Sequence, residues 1–329
     1  MERLKEDLKT GQFQKLYLFY GEEEYLKKHY LQEISKKIIP TGQELMNISI
    51  FEGNQVSPQQ IIEAVETLPF LVEKRLVIVK NSELFKGGRA DDTQKIVDFF
   101  SLIPSTCCLL FIESEIDRRN KGFKALQKWG RSVTFSYLQE KDLVTWIKKA
   151  FKRNRKNIDT QTTLYLLRIV GSDMERLEGE IEKIISYVIG EEIQKKDIDA
   201  ICIPSLEVRI FELVKALGNK QSQKALEIYS NLILIKESPH MILAMITRQF
   251  RLILQVKYLQ EQGMSQSQIG ARLGLRNFIV RDCLQQGKGF SMNTLKQALH
   301  ESLETDVNIK TGIVDGVLGV EMLLIKYSH

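Results

Sequence analysis

The first place in this 329-residue chain where residue types and spacing could do chemistry is Gly21. It ends the apolar run Leu16-Tyr17-Leu18-Phe19-Tyr20 and precedes a helical pattern through Tyr25, Leu26, Tyr30, Leu31, Ile34 and Ile38. A nucleotide-binding α/β protein places its phosphate loop, G-x-x-x-x-G-K-[ST], at such a strand-turn-helix junction, where backbone N–H groups cradle phosphate. Gly21 fits the first glycine. The residues that follow, Glu22 to Lys28, hold no second glycine, and the carboxylates of Glu22, Glu23 and Glu24 would repel a triphosphate. A later apolar run, Leu109-Leu110-Phe111-Ile112, ends in Glu113-Ser114-Glu115 and not in a paired Asp-Glu placed to hold magnesium. No ATPase activity is expected.

Other catalytic arrangements are equally hard to assemble. Cys107, Cys108, Cys202 and Cys283 have no C-x-x-C spacing, and the four histidines, His29, His240, His300 and His329, are scattered, which argues against a zinc site or disulfide framework. The histidines lack a Ser or Cys partner at a strand-turn-helix elbow, and no Asp/Glu pair stands apart from the surface acids. The Cys107-Cys108 pair lies in an apolar strand, where buried thiols are inert. No catalytic residue, metal or cofactor is expected.

Three segments carry binding potential, each with a plainer reading beside it. In Glu66-Thr67-Leu68-Pro69-Phe70-Leu71-Val72-Glu73-Lys74-Arg75, four large apolar side chains flank a proline between polar residues. Such a segment is either hydrophobic core or a protruding peptide whose anchors enter a partner's pocket. Residues 141–157 hold seven Lys or Arg against one Asp, which is either a face for nucleic acid or an acidic partner, or the solvated side of an amphipathic helix. Residues 266–284 have the rhythm of a helix-turn-helix, with Arg276, Asn277 and Arg281 on the second helix, but two helices joined at a glycine also occur in any bundle.

The elements that must position these segments follow from composition and periodicity. A hydrophobic fraction of 43% and a charged fraction of 27% suit globular cores, and with 6 prolines and 20 glycines neither a collagen nor a low-complexity protein fits. The length suits two or three domains. A net charge of +5 permits contact with nucleic acid without indicating a DNA-coating protein. A charged N-terminus and the lack of a long apolar run point to a cytoplasmic protein with reduced thiols and no membrane contact. Short buried-type strands at 16–20, 47–51, 75–80, 107–112 and 132–135 alternate with helices, one opened by Ser57-Pro58 and one running over about 92–100, which predicts a parallel sheet covered on both faces. After Gln139 only helical spacing remains. Helices over 160–170, 174–187 and 195–200, the second capped by Ser172 with Glu175, make a small unit ending near Pro204. Four or five longer helices are expected beyond Val208.

In order, these elements resemble the delta-subunit family of the bacterial DNA polymerase III clamp loader. Four stretches carry the likeness: Leu16 to Leu26, Thr67 to Asn81, Gly171-Ser172-Asp173-Met174-Glu175-Arg176-Leu177 with Glu180, Glu182 and Lys183, and Ile246 to Gln255 with Asp306 to Gly312. The resemblance implies an AAA+-like α/β domain with a degenerate phosphate loop over 1–139, a small helical lid over 140–206 and a helical collar for oligomerisation over 207–329. It implies a subunit without intrinsic activity inside a holoenzyme that is a DNA-directed DNA polymerase, a nucleotidyltransferase. Leu68, Phe70 and Leu71 would enter a hydrophobic pocket on the sliding clamp, the beta subunit, and bias that ring toward opening. The other implied partners are the ATPase subunits, a second non-ATPase subunit and primed DNA, which Lys148, Lys149, Lys152 and Arg153 would face; no small-molecule substrate is implied. No Ser-Arg-Cys sequence occurs, so no arginine is expected to act on a neighbour's ATP. The competing reading is a sequence-specific DNA-binding regulator that uses residues 266–284.

Overall fold

Strands without polar alternation need cover on both faces, and the computed structural model, which describes residues 1–328, gives it to them. The chain divides into two units, one ending at Tyr137 and one starting at Leu138. The first contains α1 (Glu2–Thr10), β1 (Leu16–Tyr20), α2 (Glu24–Ile38), α3 (Glu44–Asn47), β2 (Ile48–Glu52), α4 (Pro58–Glu66), β3 (Arg75–Lys80), α5 (Ala90–Phe99), β4 (Cys107–Glu113), α6 (Lys121–Trp129) and β5 (Arg131–Thr134).

The five strands form one parallel sheet in the order β2-β3-β4-β1-β5. Leu18 sits opposite Phe111 on one side and Ser132 on the other, which puts the C-terminal ends of β1 and β4 side by side. Every residue of β1 and β4 is buried, and Leu18, Val77, Val79, Leu109 and Phe111 pack in one core with Ile61, Val65 and Phe123 of the covering helices. Helix α4 starts as its Ser57-Pro58 signal predicts: Ser57 and Gln60 close a capping box, with the proline in the first turn. Helix α1, which the apolar periodicity does not reveal, is tied to the sheet by polar groups. Buried Asp7 accepts a 2.7 Å hydrogen bond from the Tyr17 hydroxyl and pairs with Arg131, which also donates to the Arg3 carbonyl at 2.8 Å.

The second unit contains α7 (Glu140–Arg153), β6 (Asn157–Ile158), α8 (Thr160–Val170), α9 (Met174–Tyr187), β7 (Glu192–Ile193), α10 (Lys195–Ile201), α11 (Leu206–Gly218), α12 (Ser222–Leu234), α13 (Pro239–Glu261), α14 (Gln266–Leu273), α15 (Asn277–Gly287), α16 (Met292–Lys310) and α17 (Gly316–Tyr327). It corrects three expectations. The region after Gln139 is not purely helical, because β6 and β7 pair in parallel over two residues each, too short a run to show a period. The cap of α9 is Asp173, whose side chain accepts from the Arg176 N–H, and not Ser172. Among the described residues seven helices, not four or five, follow residue 205, because α14 and α15 are short and a further break falls at 311–315. These seven share one core in which α13 packs against α11, α14, α15, α16 and α17.

Candidate functional site

The loop after β1 is where nucleotide chemistry would occur, and its geometry leaves no cradle. Gly21 has φ 121°, and a Cβ there would lie 2.4 Å from the Phe135 carbonyl oxygen, so glycine is required by close packing against the end of β5. Counted from Gly21, Leu26 stands at the second glycine of the phosphate-loop motif and Lys27 at its lysine. Leu26 is buried. Lys27 is buried too, and its ammonium donates to the Gly21 carbonyl at 2.7 Å, to Glu24 Oε1 at 2.7 Å and to the Glu113 carbonyl at 3.3 Å. The protein's own cation thus holds together the loop and the end of β4. The glycine count of the motif is too coarse to reveal this; the spacing of Lys27 from Gly21 is the signal that could.

Glu113, at the end of β4, serves the fold. Its Oε1 accepts from the Ser82 hydroxyl at 2.5 Å and the Ser82 N–H at 3.0 Å, and Oε2 accepts from the Glu83 N–H at 3.3 Å. Burial pushes its carboxyl above the ordinary value of 4.5, against the pull of these hydrogen bonds. All four cysteines are buried, and burial holds the Cys107, Cys202 and Cys283 thiols at about 12. Among the described residues no group of three His, Cys, Asp or Glu could hold a metal ion.

The apolar turn after α4 resolves its two readings in favour of exposure. Leu68 is 77% exposed, Phe70 55% and Leu71 80%. Residues 68–73 belong to no helix or strand, yet the turn is fastened at both ends. Buried Arg75 donates to the Thr67 carbonyl at 3.4 Å and to Ser49 Oγ at 2.7 Å. Fully buried Asn47 accepts from the Phe70 N–H at 2.7 Å and donates to the Phe70 carbonyl at 3.0 Å. Leu71 takes φ 57°, a left-handed conformation that is unusual for a branched side chain. Beside Asn47 on α3, Leu45 is 98% exposed and Met46 64%. Sequence reasoning missed both, because a four-residue helix carries no readable period.

On α7, Lys149, Lys152 and Arg153 are exposed, whereas Lys148 is half-buried and donates to Thr160 Oγ1 at 2.7 Å. Residues 266–284 form two helices joined at Gly274, as both readings of that segment expect. Arg276 is buried and donates to the Ser172 carbonyl at 2.8 Å. The Asn277 N–H bonds Gln139 Oε1 at 3.1 Å, and Arg281 pairs with Glu140 at 3.2 Å. The Arg276 and Arg281 guanidiniums and the Asn277 backbone N–H thus hold α15 against α7 and the 171–173 loop.

Helices α16 and α17 leave a further apolar surface bare. Leu303 and Val307 on α16, and Leu318, Met322 and Ile325 on α17, are exposed at helical spacing.

The five-stranded parallel sheet followed by a helical C-terminal region is the architecture of a clamp-loader delta protein. Comparisons with known proteins take the assignment further. Residues 17–136 match the family model "DNA polymerase III, delta subunit", and residues 207–327 match "DNA polymerase III delta subunit, C-terminal domain". The chain is 31% identical to DNA polymerase III subunit delta of Bacillus subtilis (strain 168), an alignment covering 97% of this chain and 94% of that one. It is 23% identical to the probable DNA polymerase III subunit delta of Aquifex aeolicus, over 82% and 78% of the two chains. The solved structure of the Bacillus subtilis DNA clamp loader delta protein superposes with a TM-score of 0.81 at 29% identity, covering 99% of each chain. The chain belongs to the DNA polymerase III delta subunit family.

Proposed function

We propose that this chain is the non-ATPase clamp-loader subunit that binds a ring-shaped sliding clamp and favours its opening, so that the ring can be loaded on primed DNA in the cytoplasm. The observation that carries this reading is the turn holding Leu68, Phe70 and Leu71: three large apolar side chains face solvent on a segment fastened by two buried polar residues. Exposed apolar anchors on a rigid support lose little conformational entropy on docking, and a few of them can dominate an interface. Leu45 and Met46 extend the apolar surface along α3. Binding opens the ring only if the wedge prefers the open clamp, since equal affinity for both states shifts nothing.

In this reading residues 1–139 grip the clamp, residues 140–206 form a lid-like unit and residues 207–329 join the collar with the ATPase subunits and a second non-ATPase subunit. The bare apolar rows of α16 and α17 suit that contact. ATP is hydrolysed in the neighbours, and the Lys27 plug and missing second glycine support its absence here. Lys149, Lys152 and Arg153 make phosphate contacts that position DNA without reading sequence, with Lys148 contributing less because Thr160 holds it.

The test is binding of the purified chain to its cognate clamp without nucleotide, beside a Leu68/Phe70/Leu71 triple-alanine variant, with thermal melting of both. Full binding by the wild type, with a variant that melts normally and does not bind, is the expected result. A wild type that ignores the clamp, or a variant destabilised by the ~2–5 kcal/mol per residue of core truncation, refutes it.

A further inference from the structure

The wedge turn has no regular backbone structure of its own, so something else must set its shape. The side chain of Asn47 does so at the middle of the turn. Its carboxamide is planar like a peptide and offers one acceptor and two donors. Oδ1 accepts from the Phe70 N–H at 2.7 Å, and Nδ2 donates to the Phe70 carbonyl at 3.0 Å. The pair closes a two-point clasp around a single residue, as one strand residue does to another in an antiparallel pair. The remaining Nδ2 hydrogen is directed to the Gln43 carbonyl at 3.0 Å, which fixes the amide's orientation on α3.

We infer that Asn47 is the positioning residue of the wedge, holding the Phe70 peptide so that Leu68, Phe70 and Leu71 are presented ready for the clamp. This deepens the clamp-binding reading and rests on it. Three features set Asn47 apart from an ordinary buried amide. It is fully buried while its neighbours Leu45 and Met46 are largely exposed. It reaches across 23 positions of sequence to the wedge residue that lies between Leu68 and the strained Leu71. Its partners are backbone groups, so it fixes conformation whatever side chain stands at position 70. Without the clasp the turn samples other shapes, and apparent affinity falls in proportion to the population that remains competent.

The test uses the full chain with Asn47→Ala and, because alanine leaves a buried space, Asn47→Leu, which fills it without hydrogen bonding. Amide hydrogen exchange is read in the free protein and clamp affinity in solution. In both variants the Phe70 amide is expected to exchange faster while the β3 amides stay protected, and clamp binding is expected to weaken about tenfold. Faster exchange at Phe70 with unchanged clamp affinity overturns the positioning role and leaves the clamp reading standing. A wild type that does not bind the clamp removes both. Loss of β3 protection in the leucine variant as well as in alanine makes Asn47 a residue of the general fold and overturns the proposal.

Discussion

The Lys27 ammonium lies 2.7 Å from the carbonyl oxygen of Gly21, six residues earlier, with both groups at the position where a phosphate loop would begin to wrap its ligand. A buried ammonium that loses its partners, or carbonyls that lose theirs, are costly. Lys27→Ala is therefore expected to destabilise the first unit by about 2–3 kcal/mol, the scale of a hydrogen bond to a charged group left unmade. Chemical denaturation measures that loss. ATP is expected to raise the melting temperature of neither form, because removing the plug does not create the missing glycine turn.

Glu113 makes stability depend on pH with a definite sign. Its folded-state carboxyl is raised above 4.5 by burial, so the folded chain binds a proton more readily than the unfolded one. Stability then rises as pH falls through the folded value and levels off below the unfolded one. Against Glu113→Gln, which does not titrate, the wild type is expected to gain relative stability as the pH is lowered from about 7 toward the ordinary carboxyl value of 4.5. Urea unfolding of both proteins at the two pH values gives the difference, and a gap that is constant or moves the other way refutes the assignment.

Leu45 and Met46 touch solvent more than protein. A Leu45→Ser/Met46→Ser double variant is expected to keep its stability within about 0.5 kcal/mol and to bind the clamp roughly fivefold to tenfold more weakly. Equal clamp affinity for wild type and variant would confine the contact surface to the turn.

On α17, Leu318→Asp/Met322→Asp is expected to fold with an unchanged melting temperature, since both side chains are exposed. It is expected to fail to co-purify with the other clamp-loader subunits while retaining clamp binding. Retained assembly would remove α17 from the collar contact.

How much of this was legible in sequence depended on the length of the signal. The continuous apolar runs of β1, β3 and β4 and the Ser57-Pro58 start of α4 could be read directly, because burial and capping act through neighbouring residues. The wedge residues were visible as unusual apolar density that left both core and solvent open, because the bonds that fasten the turn run from Phe70 and Thr67 to Asn47 and Arg75, residues remote from the turn or beyond its end. Whether Arg276 and Arg281 read bases or pack within a bundle stayed open in the sequence, because composition does not distinguish a guanidinium aimed at solvent from one bound to Ser172 or Glu140. Lys27 was hidden for a similar reason: two of its three partners are carbonyl oxygens, which every residue possesses.

The left-handed backbone at Leu71 bears on whether the wedge could be lifted out as a short linear motif. Holding a leucine at φ 57° carries a penalty of order 1 kcal/mol, and here the surrounding fold sustains it through side chains anchored on α3 and β3. An excised peptide spanning residues 67–74 would keep all three anchors and none of that support, and would relax to other shapes in solution. Such a peptide should therefore compete poorly for the clamp's pocket, whereas a cyclic version constrained to the folded turn should compete well. The proposed recognition element is then a piece of tertiary structure that happens to be contiguous in sequence.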